Sequence, residues 1–132
     1  MPIAEPLAVR AIRGATTVDA DTPEQIIERV QALVGEMFAR NNLTALDAVS
    51  LLITATADIR TYHPATAARH WGLAEVAILG AQEVEIIGGL PLCIRTLLHV
   101  YTATPRAEIQ HVFLEGAVVL RPDLVDDRLA GT

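Results

Sequence analysis

A single segment of this 132-residue chain carries a sustained helical stripe, and that limits the folds open to it. Ile26, Ile27, Val30, Leu33, Val34, Met37 and Phe38 recur at three- and four-residue spacing, the pattern of an amphipathic helix running to about Arg40. Thr22 offers a hydroxyl N-cap, Pro23 suits the first helical position, and Gln25 stands three residues after the cap. Asn41 and Asn42 end the helix. Much of the remainder reads as strand. Residues 8–18 (AVRAIRGATTV) are rich in β-branched side chains. Residues 49–57 (VSLLITATA) are a nearly continuous apolar run of strand length, as expected for a strand covered on both faces. Residues 74–79 make a short strand that 84–87 can continue, before Gly88, Gly89 and Pro91 break the chain. Residues 92–102 (LCIRTLLHVYT) are the longest strand and 111–114 a short one. Thr44 caps one turn over 45–48, and Pro64 opens a short helix over 65–71 that Gly72 closes. Residues 116–120 are apolar without a readable period, and the termini, 1–7 and 122–132, are expected to be mobile. This order predicts an α+β fold: one domain with a mixed sheet, covered by one long helix and several short ones.

Composition adds a partner and removes others. Apolar residues form 52% of the chain and mean hydropathy is +0.37, more apolar surface than a monomer of this size covers, so a homo-oligomer is expected. No stretch reaches the ~18 apolar residues of a membrane span. The opening MPIAEP lacks the basic and apolar regions of a signal peptide. The lone cysteine, Cys93, excludes an internal disulfide and a multi-cysteine zinc site. Together these point to the cytoplasm. A net charge of −6 argues against nucleic acid, which demands a basic face.

All ten basic residues are arginines, and three of them interrupt apolar segments. Arg95 lies within CIRTLL, where a guanidinium that cannot lose its proton must find acceptors. A salt bridge to Glu83, Glu85 or Asp58, a strand end open to water, or a bound anion would each satisfy it. Arg13 precedes Gly14, a sign of close approach to the backbone or of a strand bulge. Glu83 sits between apolar stretches, either as a solvated loop carboxylate or as a ligand contact. His63, His70, His99 and His111 show no ligand spacing, so no metal site is read, and His99 suits packing or an interface. Gly88-Gly89-Leu90-Pro91 matches no phosphate-binding glycine pattern, and Cys93 reads as an inert buried thiol.

Read together, the motifs become specific. RAIRGATTV (10–18) closely resembles the RGIRGATTV-like opening of the trimeric chorismate mutases. Agreement continues through DTPE (21–24), TATAD (54–58), PATAAR (64–69), QE (82–83), GGLP (88–91), CIR (93–95), HVFL (111–114) and AVVLRPDL (117–124). The resemblance spans roughly residues 8–125 in one order.

It implies three subunits forming a pseudo-α/β-barrel, with active sites in clefts between neighbours. It implies rearrangement of chorismate to prephenate, in phenylalanine and tyrosine synthesis, without cofactor or metal. Arg95, Glu83 and Arg13 are then the catalytic contacts. Arg69 lies at the cleft entrance, and His63, Ala65, Thr66, Ile78, Leu79, Gly80, Phe113, Leu120 and Arg121 complete the substrate-binding set. Four positions depart from the family pattern: Gly80 for a cysteine, Phe113 for a tyrosine, His63 for an aromatic and Thr66 for a lysine. These losses predict a raised Michaelis constant. The alternative reading is a non-catalytic trimeric module that binds a small carboxylated metabolite in the same clefts.

Overall fold

The computed structural model describes residues 6–120; residues 1–5 and 121–132, with Arg121 and most of the termini expected to be mobile, lie outside it. Strand β1 (Ala8–Thr17) leads into helix α1 (Pro23–Arg40). Strand β2 (Ala48–Ala55), helix α2 (Pro64–His70), and strands β3 (Ala77–Gln82), β4 (Cys93–Thr102) and β5 (Val112–Phe113) follow. Short 3₁₀ turns occupy Ala45–Asp47, Arg106–Glu108 and Glu115–Leu120.

The helix start follows from its cap. Thr22 Oγ1 accepts from Gln25 N–H at 3.3 Å, but the return bond expected of Gln25 goes upstream instead. Its Oε1 accepts from the Asp19 and Ala20 amides, because Thr22 N–H is already taken by Ala20 O. The stripe read from the sequence is the buried one: Ile26, Val30, Leu33, Val34, Met37 and Phe38 are all at most 2% exposed. Each such burial is worth ~1.5–3 kcal/mol, against tenths of a kcal/mol per residue from helix propensity. Packing, not propensity, holds α1.

The sheet runs β3-β2-β4-β1-β5. β4 is antiparallel to both β1 and β2, whereas β2–β3 and β1–β5 are parallel, so the sheet is mixed as expected. Both helices lie on the face that carries Ile12, Leu51, Ile53, Ile94, Leu98 and Val100, and share one core with it. Phe38 stacks on Trp71 at 5.3 Å between ring centroids, joining α1 to the end of α2. Gly14 explains how closely α1 docks. A Cβ there would stand 2.6 Å from Met37 Sδ and nearer still to Thr96 Oγ1, so it is the core that approaches this glycine.

Three expectations are corrected. Within one chain β2 is covered on one face only: Leu51 and Ile53 are buried, while Leu52 is 40% exposed, since both helices pack on the same side. The strand expected over 74–79 is displaced to Ala77–Gln82, because Leu73 to Val76 is taken up by a turn closed by Val76 N–H to Leu73 O. Residues 84–87 do not continue it. Glu83 N–H makes the last bond to β2, at Ala55 O, and the chain then turns with Gly88 at φ +80°.

Candidate active site

Strand alternation fixes which side chains share the uncovered face. Ile94 and Thr96 point into the core, so Arg95 points away from it. Its row across the sheet reads Ala81, Thr54, Arg95, Ala15, Phe113, and the next row reads Leu79, Leu52, Leu97, Arg13. Arg13 and Arg95 are therefore diagonal neighbours on one face, with backbones about 7–8 Å apart by strand geometry. Two cations so close on an apolar sheet favour an anion between or beside them.

Glu83 joins them from the end of β3. Its Oε2 accepts from Thr54 Oγ1 at 2.6 Å and lies 3.9 Å from Arg95 Nε. Of the acceptors open to Arg95, Glu83 is thus the neighbour, but at the outer limit of an ion pair. Asp58 is engaged elsewhere, accepting from Leu92 N–H at 3.0 Å and from Thr56 Oγ1. Arg95 Nε is left buried with no hydrogen-bond partner among the described residues, while its side chain as a whole is 38% exposed. The outer end of the fork accordingly opens into a cleft of about 520 Å³ whose wall includes Val84, Ile86, Leu90 and Pro91.

Arg13 is held differently. Its guanidinium lies over the Phe113 ring, 5.5 Å from the centroid. Its backbone N–H donates to His111 Nδ1 at 2.9 Å, a ring nitrogen standing where a strand carbonyl would. Burial, with a smaller contribution from the Arg13 charge, pushes the His111 pKa below the ordinary 6.5, which keeps that nitrogen an acceptor. Among the described residues no carboxylate lies within salt-bridge distance of Arg13. Cys93 is 1% exposed, and burial pushes its thiol up although Arg95 pulls the other way, as suits an inert group.

The other expected contacts form a second cluster. A cleft of about 790 Å³ between α2, the loop before it and β3 is lined by His63, Ala65, Thr66, Arg69, Ile78 and Gly80. Ile78 and Gly80 point to the helix side of β3 and Leu79 to the open side, where it is 65% exposed, so Leu79 belongs with the Arg13 row instead. A Cβ at Gly80 would sit 3.7 Å from Ala65 Cβ, an ordinary contact. The glycine leaves room rather than relieving a clash. Leu120 ends the 3₁₀ turn that leaves β5 beside β1, and Arg121 lies outside the described residues.

One chain does not unite the two groups. Arg13, Glu83, Arg95 and Phe113 face one side of the sheet, and the Arg69 cleft opens on the other, with Thr56 and Ala57 bordering both clefts. Sequence reading missed two supports, Thr54 under Glu83 and His111 behind Arg13. Alternation puts Thr54 opposite Arg95 once the β2–β4 register is known, but no pattern in the sequence supplies that register.

Known proteins match the chain over most of its length. The family model of chorismate mutase type I matches residues 9–124. The chain belongs to this family. It is 41% identical over 119 residues to the chorismate mutase AroH of Bacillus subtilis (strain 168), covering 89% of this chain and 94% of that one. To the AroH chorismate mutase of Thermus thermophilus it is 43% identical over 117 residues, covering 88% and 96%. The solved chorismate mutase of Clostridium thermocellum superposes with a TM-score of 0.81 at 40% identity, over 83% of this chain and 97% of that one. The match to the type I family includes every described residue of both clefts.

Proposed function

We propose that the chain is a chorismate mutase converting chorismate to prephenate in clefts between copies of a homotrimer. Each cleft takes the Arg95 face from one copy and the Arg69 cleft from the next, closing a pseudo-α/β-barrel over the open sheet faces. The observation that carries this reading is Arg95: among the described residues, a permanent cation with a buried, unpartnered Nε and a neighbouring carboxylate already bonded to Thr54. With Nε buried, the part of the guanidinium open to the cleft is its outer end, a charged donor group that a dicarboxylate ligand can reach.

The reaction is an intramolecular rearrangement. The ether C–O bond breaks while the enolpyruvyl carbon bonds to the ring, all electrons staying within one molecule, so neither nucleophile nor proton donor is called for. Negative charge gathers on the ether oxygen. Arg95 faces that oxygen and binds it more strongly as the bond opens, the condition for acceleration. Arg13 holds a carboxylate, its swing limited by Phe113 beneath it, and keeps the substrate folded for bond formation. Glu83, fixed by Thr54, accepts from the ring hydroxyl. A million-fold acceleration requires ~8 kcal/mol, of which one preorganised cation supplies ~3–4 kcal/mol. Positioning supplies much of the remainder.

The uncovered face supports the trimer. Val9, Leu52, Leu79 and Tyr101 stand between 40% and 65% exposed on it, an apolar surface suited to a second copy. We read the enzyme as cytoplasmic from its sequence, and the resemblance implies that it works without cofactor. Loss of chorismate absorbance, with prephenate confirmed separately and mass measured by sedimentation, tests the reading. Turnover by a trimer is expected; binding without turnover would support the carboxylate-binding module instead.

A further inference from the structure

Arg29, on α1, takes no part in either cleft, yet its charged side chain is only 14% exposed. Its Nη1 donates to Thr17 O at 2.5 Å and its Nη2 to Asp19 Oδ2 at 3.0 Å, while Glu115 Oε2 stands 3.9 Å from Nη1. Thr17 is the last residue of β1, and its Oγ1 accepts in turn from Gly116 N–H at 2.9 Å. The Glu115–Leu120 turn is thus tied to β1 from two directions. Leu114 N–H donates to Ala15 O at 2.9 Å just before it, and Ala117, within the turn, is fully buried. Glu115 adopts φ +51°, which a residue with a side chain holds only where its surroundings insist. A Cβ on Gly116 would stand 2.8 Å from Thr17 Oγ1, so the glycine permits the close dock.

We propose that Arg29 and Thr17 are positioning residues for substrate affinity: they pin the Glu115–Leu120 turn to the end of β1 and so set the course of the chain to Leu120, which the resemblance places at the substrate. The inference rests on the chorismate mutase reading above. The turn leaves the sheet next to Ala15, the residue directly opposite Arg95. A shift of its base therefore moves Leu120 relative to the substrate while leaving Arg13, Glu83 and Arg95 in place. Arg29 touches no substrate. Its effect belongs to KM rather than kcat.

The test uses the full chain. Arg29→Met should raise KM for chorismate on the order of tenfold, the size of one lost charge-assisted hydrogen bond, with kcat within about twofold. Arg29→Lys should recover part of the loss, because charge returns without the fork. Thr17→Val, a near-isosteric change, should act in the same direction and serves if Arg29→Met folds poorly. Amide exchange at Gly116 to Leu120 should quicken in both variants. In a Leu120→Ala background, Arg29→Met should add much less than it does alone. Unchanged KM, or effects of Arg29→Met and Leu120→Ala that simply multiply, would overturn the inference. Absence of turnover by the unmutated chain would overturn the reading beneath it, and exchange at Gly116 would tell that failure from a failed anchor.

Discussion

Replacing Arg95 by lysine separates the catalytic from the structural contribution of this side chain. The change keeps a positive charge and removes the fork. Its structural cost is small, because the only ion pair it disturbs among the described residues is the 3.9 Å approach to Glu83, between side chains 38% and 29% exposed. Pairs of that length and exposure contribute ~0–1 kcal/mol. For a domain of this size such a loss lowers the melting temperature by less than ~5 °C. The catalytic cost is larger. Losing one preorganised donor aimed at the developing oxyanion raises the barrier by ~2.7–4 kcal/mol, a fall in kcat of about 10²–10³. The assay is chorismate loss under saturating substrate beside thermal unfolding of the same sample. A variant that keeps its melting temperature and loses two or three orders of magnitude in kcat fits the account. A kcat within about threefold of the parent would refute the placement of Arg95 at the ether oxygen.

Other perturbations read other parts of the molecule. Gly14→Ala drives a methyl into Thr96 Oγ1 and to 2.6 Å from Met37 Sδ, so urea unfolding should show ~1–3 kcal/mol of destabilisation through displacement of α1. Phe113→Tyr and Gly80→Cys introduce the polar groups that the resemblance expects at these positions, and each should lower KM in steady-state kinetics with little change in kcat. His111 has its folded pKa below 6.5, so its contribution to stability is full above that value and is lost as pH falls from 6.5 through the folded value. Melting temperature followed from about pH 8 downward should decline over that window more steeply than in His111→Asn, whose side-chain oxygen does not titrate there.

Much of the fold was legible because its signals were local. The α1 stripe, its Thr22 cap, Pro64 and the glycine after α2 each announce themselves within a few residues. β3 was displaced because its strand character comes from pairing with β2, not from its own sequence, in which Gly80 and, less so, Ala77 and Ala81 are poor strand formers. The apolar run at β2 was read as doubly buried because a chain that buries one face in itself and leaves the other open carries the same residues as one buried twice within itself. For the site, Arg13, Glu83 and Arg95 stood out as charges in apolar surroundings, and resemblance rather than pattern supplied their roles. Thr54, His111 and Arg29 did not stand out. A threonine in a strand, a lone histidine and an arginine on a helix are ordinary until the register shows what each one holds.

The division of the site between two faces of one chain is tested most directly by mixing two inactive variants. Arg95→Lys damages one face, and Arg69→Ala combined with Ala65→Trp blocks the other cleft. Neither alone should turn over chorismate appreciably. After joint unfolding and refolding, random assortment places both intact halves together in roughly a quarter of the clefts of a closed ring, and about that share of the parent activity should return. Mixtures as inactive as their components, from trimers shown to have exchanged subunits, would contradict a cleft built from two chains.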